Sequence, residues 1–100
     1  MRVEVLGTRG NIPLSAPKYA RHAGVLIDGA ILLDLGERSY LRRHPRQVFI
    51  THLHPDHAAF LTTRAIPECP LYLPERSPAV PTATIVSRPL HLGAHRIVPV

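Results

Sequence analysis

The chain has one cysteine, Cys69, no tryptophan and a single lysine, Lys18. A lone thiol cannot close an intrachain disulfide, so no cross-linked secreted scaffold is encoded, and a reducing cytoplasm is the expected setting. Aromatic residues make up 5% of the chain, and Tyr19, Tyr40 and Tyr72 are scattered rather than grouped. A nucleic-acid-binding module built on base stacking is therefore the weakest reading. No apolar run approaches the length of a membrane span, so no membrane partner is expected. Met1-Arg2-Val3-Glu4 leads straight into a strand pattern without a secretory signal.

What the chain has in quantity is arginine. It supplies 11 of the 12 basic side chains, against 7 acidic ones, for a formal net charge of +5. Such a balance favours anionic partners, phosphate esters and nucleic acid among them. The densest basic run is Arg38, Arg42, Arg43 and Arg46, and its plain reading is a solvated helix face. One hundred residues suffice for one small domain with a modest core.

Periodicity predicts a strand-rich chain. Residues 1–6 alternate apolar and polar side chains as a first strand. Residues 7–18 hold glycines and prolines and read as a long loop. Residues 22–28 and 30–35 read as two strands, buried on both faces, joined at Asp28-Gly29, a dipeptide suited to a tight hairpin. Residues 37–43 suit a short helix stopped before Pro45. Residues 47–50 form a further strand. Residues 57–65 read as a helix, with Ala58, Leu61 and Ala65 on one core-facing side. Leu71-Tyr72-Leu73 is a short strand between prolines, residues 75–82 are irregular, and residues 84–86 and 95–98 are weaker strands.

Residues 51–57 carry the chemistry: Thr-His-Leu-His-Pro-Asp-His. His52, His54, Asp56 and His57 put four potential metal ligands within six positions, directly after the apolar Val48-Phe49-Ile50. Imidazole and carboxylate are the ligand set of zinc and similar divalent ions. In an extended segment His52 and His54 point the same way and can grip one ion, while Asp56 and His57 reach a neighbouring position. Pro55 stiffens the segment and lowers the entropy cost of ordering the ligands. His22, His44, His91 and His95 read as surface or strand-edge histidines.

The pattern H-x-H-x-D-H at the end of a strand resembles the signature of the metallo-β-lactamase-fold hydrolases. Leu6-Gly7-Thr8-Arg9-Gly10 and Leu32-Leu33-Asp34-Leu35-Gly36-Glu37 resemble its ribonuclease Z-like and cyclic-phosphodiesterase-like branch. The resemblance runs the length of the chain and covers the first half of such an enzyme. It implies an α/β (α+β) fold, the N-terminal half of an αββα sandwich, with a mixed sheet and flanking helices. Residues 1–100 would then be one truncated domain.

The same resemblance implies a dinuclear site holding two divalent ions, zinc first, with manganese or iron as alternatives. His52 and His54 would hold the first ion, and Asp56 and His57 the second. Asp56 would thus be both ligand and catalytic residue. Three further ligands would lie beyond this chain. Asp34 would orient a ligand or the motif loop by hydrogen bonding. Gly36 would permit close backbone approach or a positive φ. Lys18, Arg21 and His22 would lie near the site mouth, where an anionic substrate could touch them. The implied activity is hydrolysis of a phosphodiester by a metal-activated hydroxide, with a small cyclic or nucleotide-like phosphodiester as substrate. RNA is the alternative substrate, although Arg38-Ser39-Tyr40 stands where ribonuclease Z typically has Gly-Thr-Gln. Two further readings stand open: a non-catalytic metal-binding fragment, and a homo-oligomer or partner chain that completes the sheet.

Overall fold

The computed structural model describes residues 1–9 and 21–99. Nine strands occur among them: β1 (Val3–Arg9), β2 (Arg21–His22), β3 (Gly24–Ile27), β4 (Ile31–Leu33), β5 (Gln47–Phe49), β6 (Leu71–Leu73), β7 (Thr84–Ile85), β8 (Leu90–Leu92) and β9 (His95–Ile97). The first seven form one sheet in the order β2-β1-β3-β4-β5-β6-β7, and β8-β9 form a separate hairpin. The expected α+β class holds at that coarse level: a mixed, strand-rich sheet with little helix. β1, β3 and β4 are antiparallel neighbours, whereas β4, β5, β6 and β7 run parallel. No helix among the described residues is long and apolar enough to cross a membrane.

The β3–β4 turn is the hairpin that Asp28-Gly29 predicted. Asp28 has φ 53 and Gly29 φ 64, the left-handed pair that matches the twist of the flanking strands. β1 runs on to Arg9, beyond the expected end at residue 6, because Gly7 pairs with both Gly24 and Arg21. Gly7 can sit there because it lacks a side chain: a Cβ would strike the carbonyls of Arg21 and His22 and the Tyr40 hydroxyl. The rest of the expected 7–18 loop, Lys18 included, lies outside the described residues.

Cross-strand register sorts the side chains. Leu26, Leu32, Val48 and Leu71 line one face in a single row, and all four are buried. Leu35, Tyr40, Ala58, Phe60, Leu73 and Val80 pack with them to form the core. The opposite face carries Val3, Val5, Val25, Ile27 and Leu33. Val3 and Val5 there remain 53% and 62% exposed. On β3 and β4, for which burial on both faces was expected, Ile31 on that face is buried and Val25, Ile27 and Leu33 are half-buried, so the expectation holds only in part. Phe49 and Tyr72 on that face stack at 4.5 Å between ring centroids.

The helices are shorter than expected. Arg38–Arg43 is a 3-10 helix closed by His44 at φ 52. The helix predicted over 57–65 reduces to a 3-10 turn at Ala59–Leu61. Its start is held outside the helical region, with Ala58 at φ −134 and ψ 80. Leu35 N–H donates to His57 O at 2.7 Å, and Ala59 N–H donates to Leu35 O at 2.7 Å. This isolated bridge between Leu35 and Ala58 ties the segment to the end of β4, so the helical turn cannot begin before Ala59.

Candidate metal centre

Parallel pairing brings the two motif segments together. β4 and β5 are in register at Leu33 and Phe49, so both strands end at the same sheet edge. Carboxyl ends of parallel strands are where open α/β sheets place their ligands. Asp34 follows β4 there, with its amide donating to Phe49 O at 2.7 Å. Residues 51–57 follow β5 at the same edge.

Asp34 organises that edge. It is 7% exposed and has φ 66, a left-handed conformation that aspartate tolerates better than most residues. Its Oδ1 accepts from Thr51 N at 2.7 Å and from Thr51 Oγ1 at 3.0 Å. Its Oδ2 accepts from Thr51 Oγ1 at 2.8 Å and from His57 Nδ1 at 2.8 Å. A carboxylate oxygen accepts, so the proton of this contact sits on His57 Nδ1. That Nε2 lies 3.2 Å from Asp56 Oδ2.

The ligand residues converge through a turn rather than an extended segment, contrary to the alternation expected from sequence. His54 N–H donates to His52 O at 3.1 Å and His57 N–H to His54 O at 2.9 Å. The His52 ring sits 4.7 Å from that of His54 and 3.9 Å from that of His57. Ligand atoms of His52, His54 and Asp56 all lie within 4.8 Å of one another. Asp56 thus lies within reach of both groups: beside His52 and His54, and with Oδ2 3.2 Å from His57 Nε2. The turn folds Asp56 back toward the histidines, and His57, tied to Asp34 through Nδ1, keeps its ring against that of His52.

Asp56 is 7% exposed, and its Oδ1 is buried without a hydrogen-bond partner. An orphaned carboxylate oxygen is costly unless an ion or water satisfies it. Its position between two exposed imidazoles fits a divalent cation and the oxygen-nitrogen ligand set such ions take. Thr51 is the residue that sequence reading passed over. Its signal was adjacency: a hydroxyl directly before the motif, where the chain leaves β5.

A second layer fixes the turn from behind. Ala23 N–H donates to Asp56 O at 3.1 Å, and Gly36 N–H donates to Ala23 O at 2.9 Å. Gly36 has no positive φ requirement. It permits close approach, since a Cβ would meet Ala23 N and O at 2.6 Å. His22, grouped with the bland histidines by sequence, pairs through Nδ1 with Glu37, and its carbonyl accepts from the Tyr40 hydroxyl at 2.5 Å. Burial, with the Glu37 charge second, pushes the Tyr40 hydroxyl up to about 12. Arg21 is exposed on β2. His91 and His95 lie on the β8–β9 hairpin and His44 ends the first 3-10 helix; none joins the cluster. The chain matches no protein-family model, no curated protein and no solved structure.

Proposed function

We propose that the chain carries the metal-binding edge of a metal-dependent hydrolase of the metallo-β-lactamase type, acting on a phosphodiester. The observation that carries this reading is the convergence of His52, His54 and Asp56 on one point, with Asp56 Oδ1 buried and unpartnered beside them. His52 and His54 would supply imidazole nitrogens, and Asp56 would supply Oδ1. His57, held by Asp34, would offer Nε2 beside the Asp56 carboxylate as a further ligand. When bound, divalent ions supply Lewis acidity toward a phosphoryl oxygen and make a water molecule acidic near neutral pH. The chain's own part is positional: Asp34 and Thr51 hold the His57 tautomer, and Ala23 and Gly36 hold the Asp56 backbone.

A second reading is favoured by the grouping of three ligands around one position. The chain would then bind a single ion and catalyse nothing by itself. Native mass spectrometry with zinc and manganese, followed by turnover of a chromogenic phosphodiester, separates the two. Two ions per chain and metal-dependent turnover support the hydrolase; one ion without turnover supports the binding fragment. No ion at all, with His52→Ala indistinguishable from the parent chain, rejects both.

A further inference from the structure

On the flank formed by the two 3-10 helices lies a groove of about 590 Å³. Arg38, Ser39 and Arg42 line it from the first helix, His44 from that helix's end, and Arg64 from the segment after the second. None of His52, His54, Asp56 and His57 stands in its wall, so it is a place apart from the candidate metal centre. Sequence placed Arg38 and Arg42 on one basic run and left Arg64 unconnected.

The charge of this groove is uncompensated. Three arginines line it and no carboxylate does. Arg43, on the same helix, shows the ordinary alternative: it bonds Glu4 at 2.6 Å, and Arg2 lies 3.4 Å from the same carboxylate. Arg38, Arg42 and Arg64 make no ion pair or side-chain hydrogen bond among the described residues. Like charges gathered in one depression repel one another, and an anion bound among them reverses that cost.

The backbone that carries the arginines is fixed. Tyr40, between Arg38 and Arg42, is 3% exposed, and its hydroxyl donates to His22 O at 2.5 Å. Thr63 Oγ1 donates to Ala59 O at 2.8 Å and accepts from Ala65 N at 3.2 Å, so the chain on both sides of Arg64 is tied to the second helix. A binding site on a fixed backbone loses less entropy when it is filled.

We propose that this groove binds a short oligophosphate, a linear phosphoanhydride of the inorganic triphosphate class, as an effector and not as a substrate of the metal centre. Such binding needs neither metal nor turnover, so it stands apart from the hydrolase reading. Guanidinium forks take phosphate oxygens two at a time and stay charged at any working pH. Three forks ask for more acceptor oxygens than one phosphate group presents, and successive phosphoryl groups supply them. The Ser39 hydroxyl adds a further donor. No phenylalanine, tyrosine or tryptophan lines the groove, so it reads the anionic chain and not a base.

The test is isothermal titration of sodium tripolyphosphate into the full chain, in EDTA and at low salt. Arg42→Gln and Arg64→Gln should each weaken binding about tenfold. Arg43→Gln and Arg96→Gln remove the same charge outside the groove and should leave the affinity near the parent value. Arg42→Lys keeps the charge and loses the fork, so its loss should be intermediate. Melting curves without ligand show which variants are folded, and Arg42→Lys carries the test where a glutamine variant is not. Absence of binding at low salt overturns the proposal, as do equal losses in groove and control variants. Orthophosphate or sulfate bound as tightly as tripolyphosphate overturns the oligophosphate assignment, and so does tighter binding of an oligouridylate of matched charge. His52→Ala should bind tripolyphosphate as the parent does; loss of binding there would put the anion at the metal turn and overturn the groove as its site.

Discussion

Asp34→Asn preserves shape and reverses one hydrogen bond. Asparagine adopts the left-handed backbone at φ 66 as readily as aspartate does. Its remaining oxygen can keep the donors from Thr51 N and Oγ1, now at 2.7 and 3.0 Å. Its NH₂ then faces His57 Nδ1, where Oδ2 stood at 2.8 Å. Two donors cannot share that contact, so the ring proton must move to Nε2. Nε2 points at Asp56 Oδ2, 3.2 Å away, and with a proton on it cannot ligate an ion. Loss of such an outer partner lowers metal affinity roughly 10–100-fold, or about 1.4–2.7 kcal/mol. The cost to folding is smaller, because the Thr51 contacts survive; about 1 kcal/mol is expected. Competition with a chromophoric zinc chelator measures the first quantity and urea unfolding the second. A folded Asp34→Asn protein that binds zinc as tightly as the parent would refute the argument: His57 would then not be a ligand, and the ion would rest on His52, His54 and Asp56 alone.

Three other outcomes are expected. Gly36→Ala forces a Cβ to within 2.6 Å of Ala23 N and O, so the urea midpoint should fall by the equivalent of about 1–3 kcal/mol; an unchanged midpoint rejects the close approach. The Tyr40 hydroxyl titrates at about 12 in the folded chain against an ordinary 10.0. Its neutral form is favoured by folding, so this contribution is whole below the unfolded value and is lost as pH rises from 10.0 toward about 12. A loss on the order of 2–3 kcal/mol across that window is expected, and Tyr40→Phe should remove the step from a plot of urea midpoint against pH. Burial pushes the Cys69 thiol above its ordinary value, so iodoacetamide should label it slowly in the folded chain and rapidly in urea; equal rates would show that the thiol is open.

The strands were legible wherever a local rule was sufficient. Asp28-Gly29 marked its hairpin because only residues that tolerate a left-handed backbone make that turn. Leu71-Leu73 stood out between its prolines. The helices were less legible because periodicity reports which side chains are apolar, not where backbone amides are used. At residues 57–65 the spacing was right, yet the Leu35–Ala58 bridge held Ala58 extended and cut the helix to one turn. β8 was missed for a different reason: Leu90-His91-Leu92 is too short a run to signal a strand before its partner is known.

The site divides in the same way. Ligand chemistry is a property of residue type, so His52, His54, Asp56 and His57 could be named from the chain alone, and Asp34 could be suspected as their support. Their grouping could not be read, because it depends on a turn at His54 and on which side of His57 the Asp34 carboxylate lies. Local pattern was enough for most strands of the large sheet, for the ligand types and for the basic charge. Tertiary structure alone decided three things: that parallel β4 and β5 end together and so place Asp34 beside Thr51 and His57, that Asp56 turns toward the histidines, and that Arg64 joins Arg38 and Arg42. The physical reason is range. Propensity and ligand chemistry act within a few residues, whereas each of these arrangements closes a contact across a sheet or between two loops, where only the packed chain sets the distance.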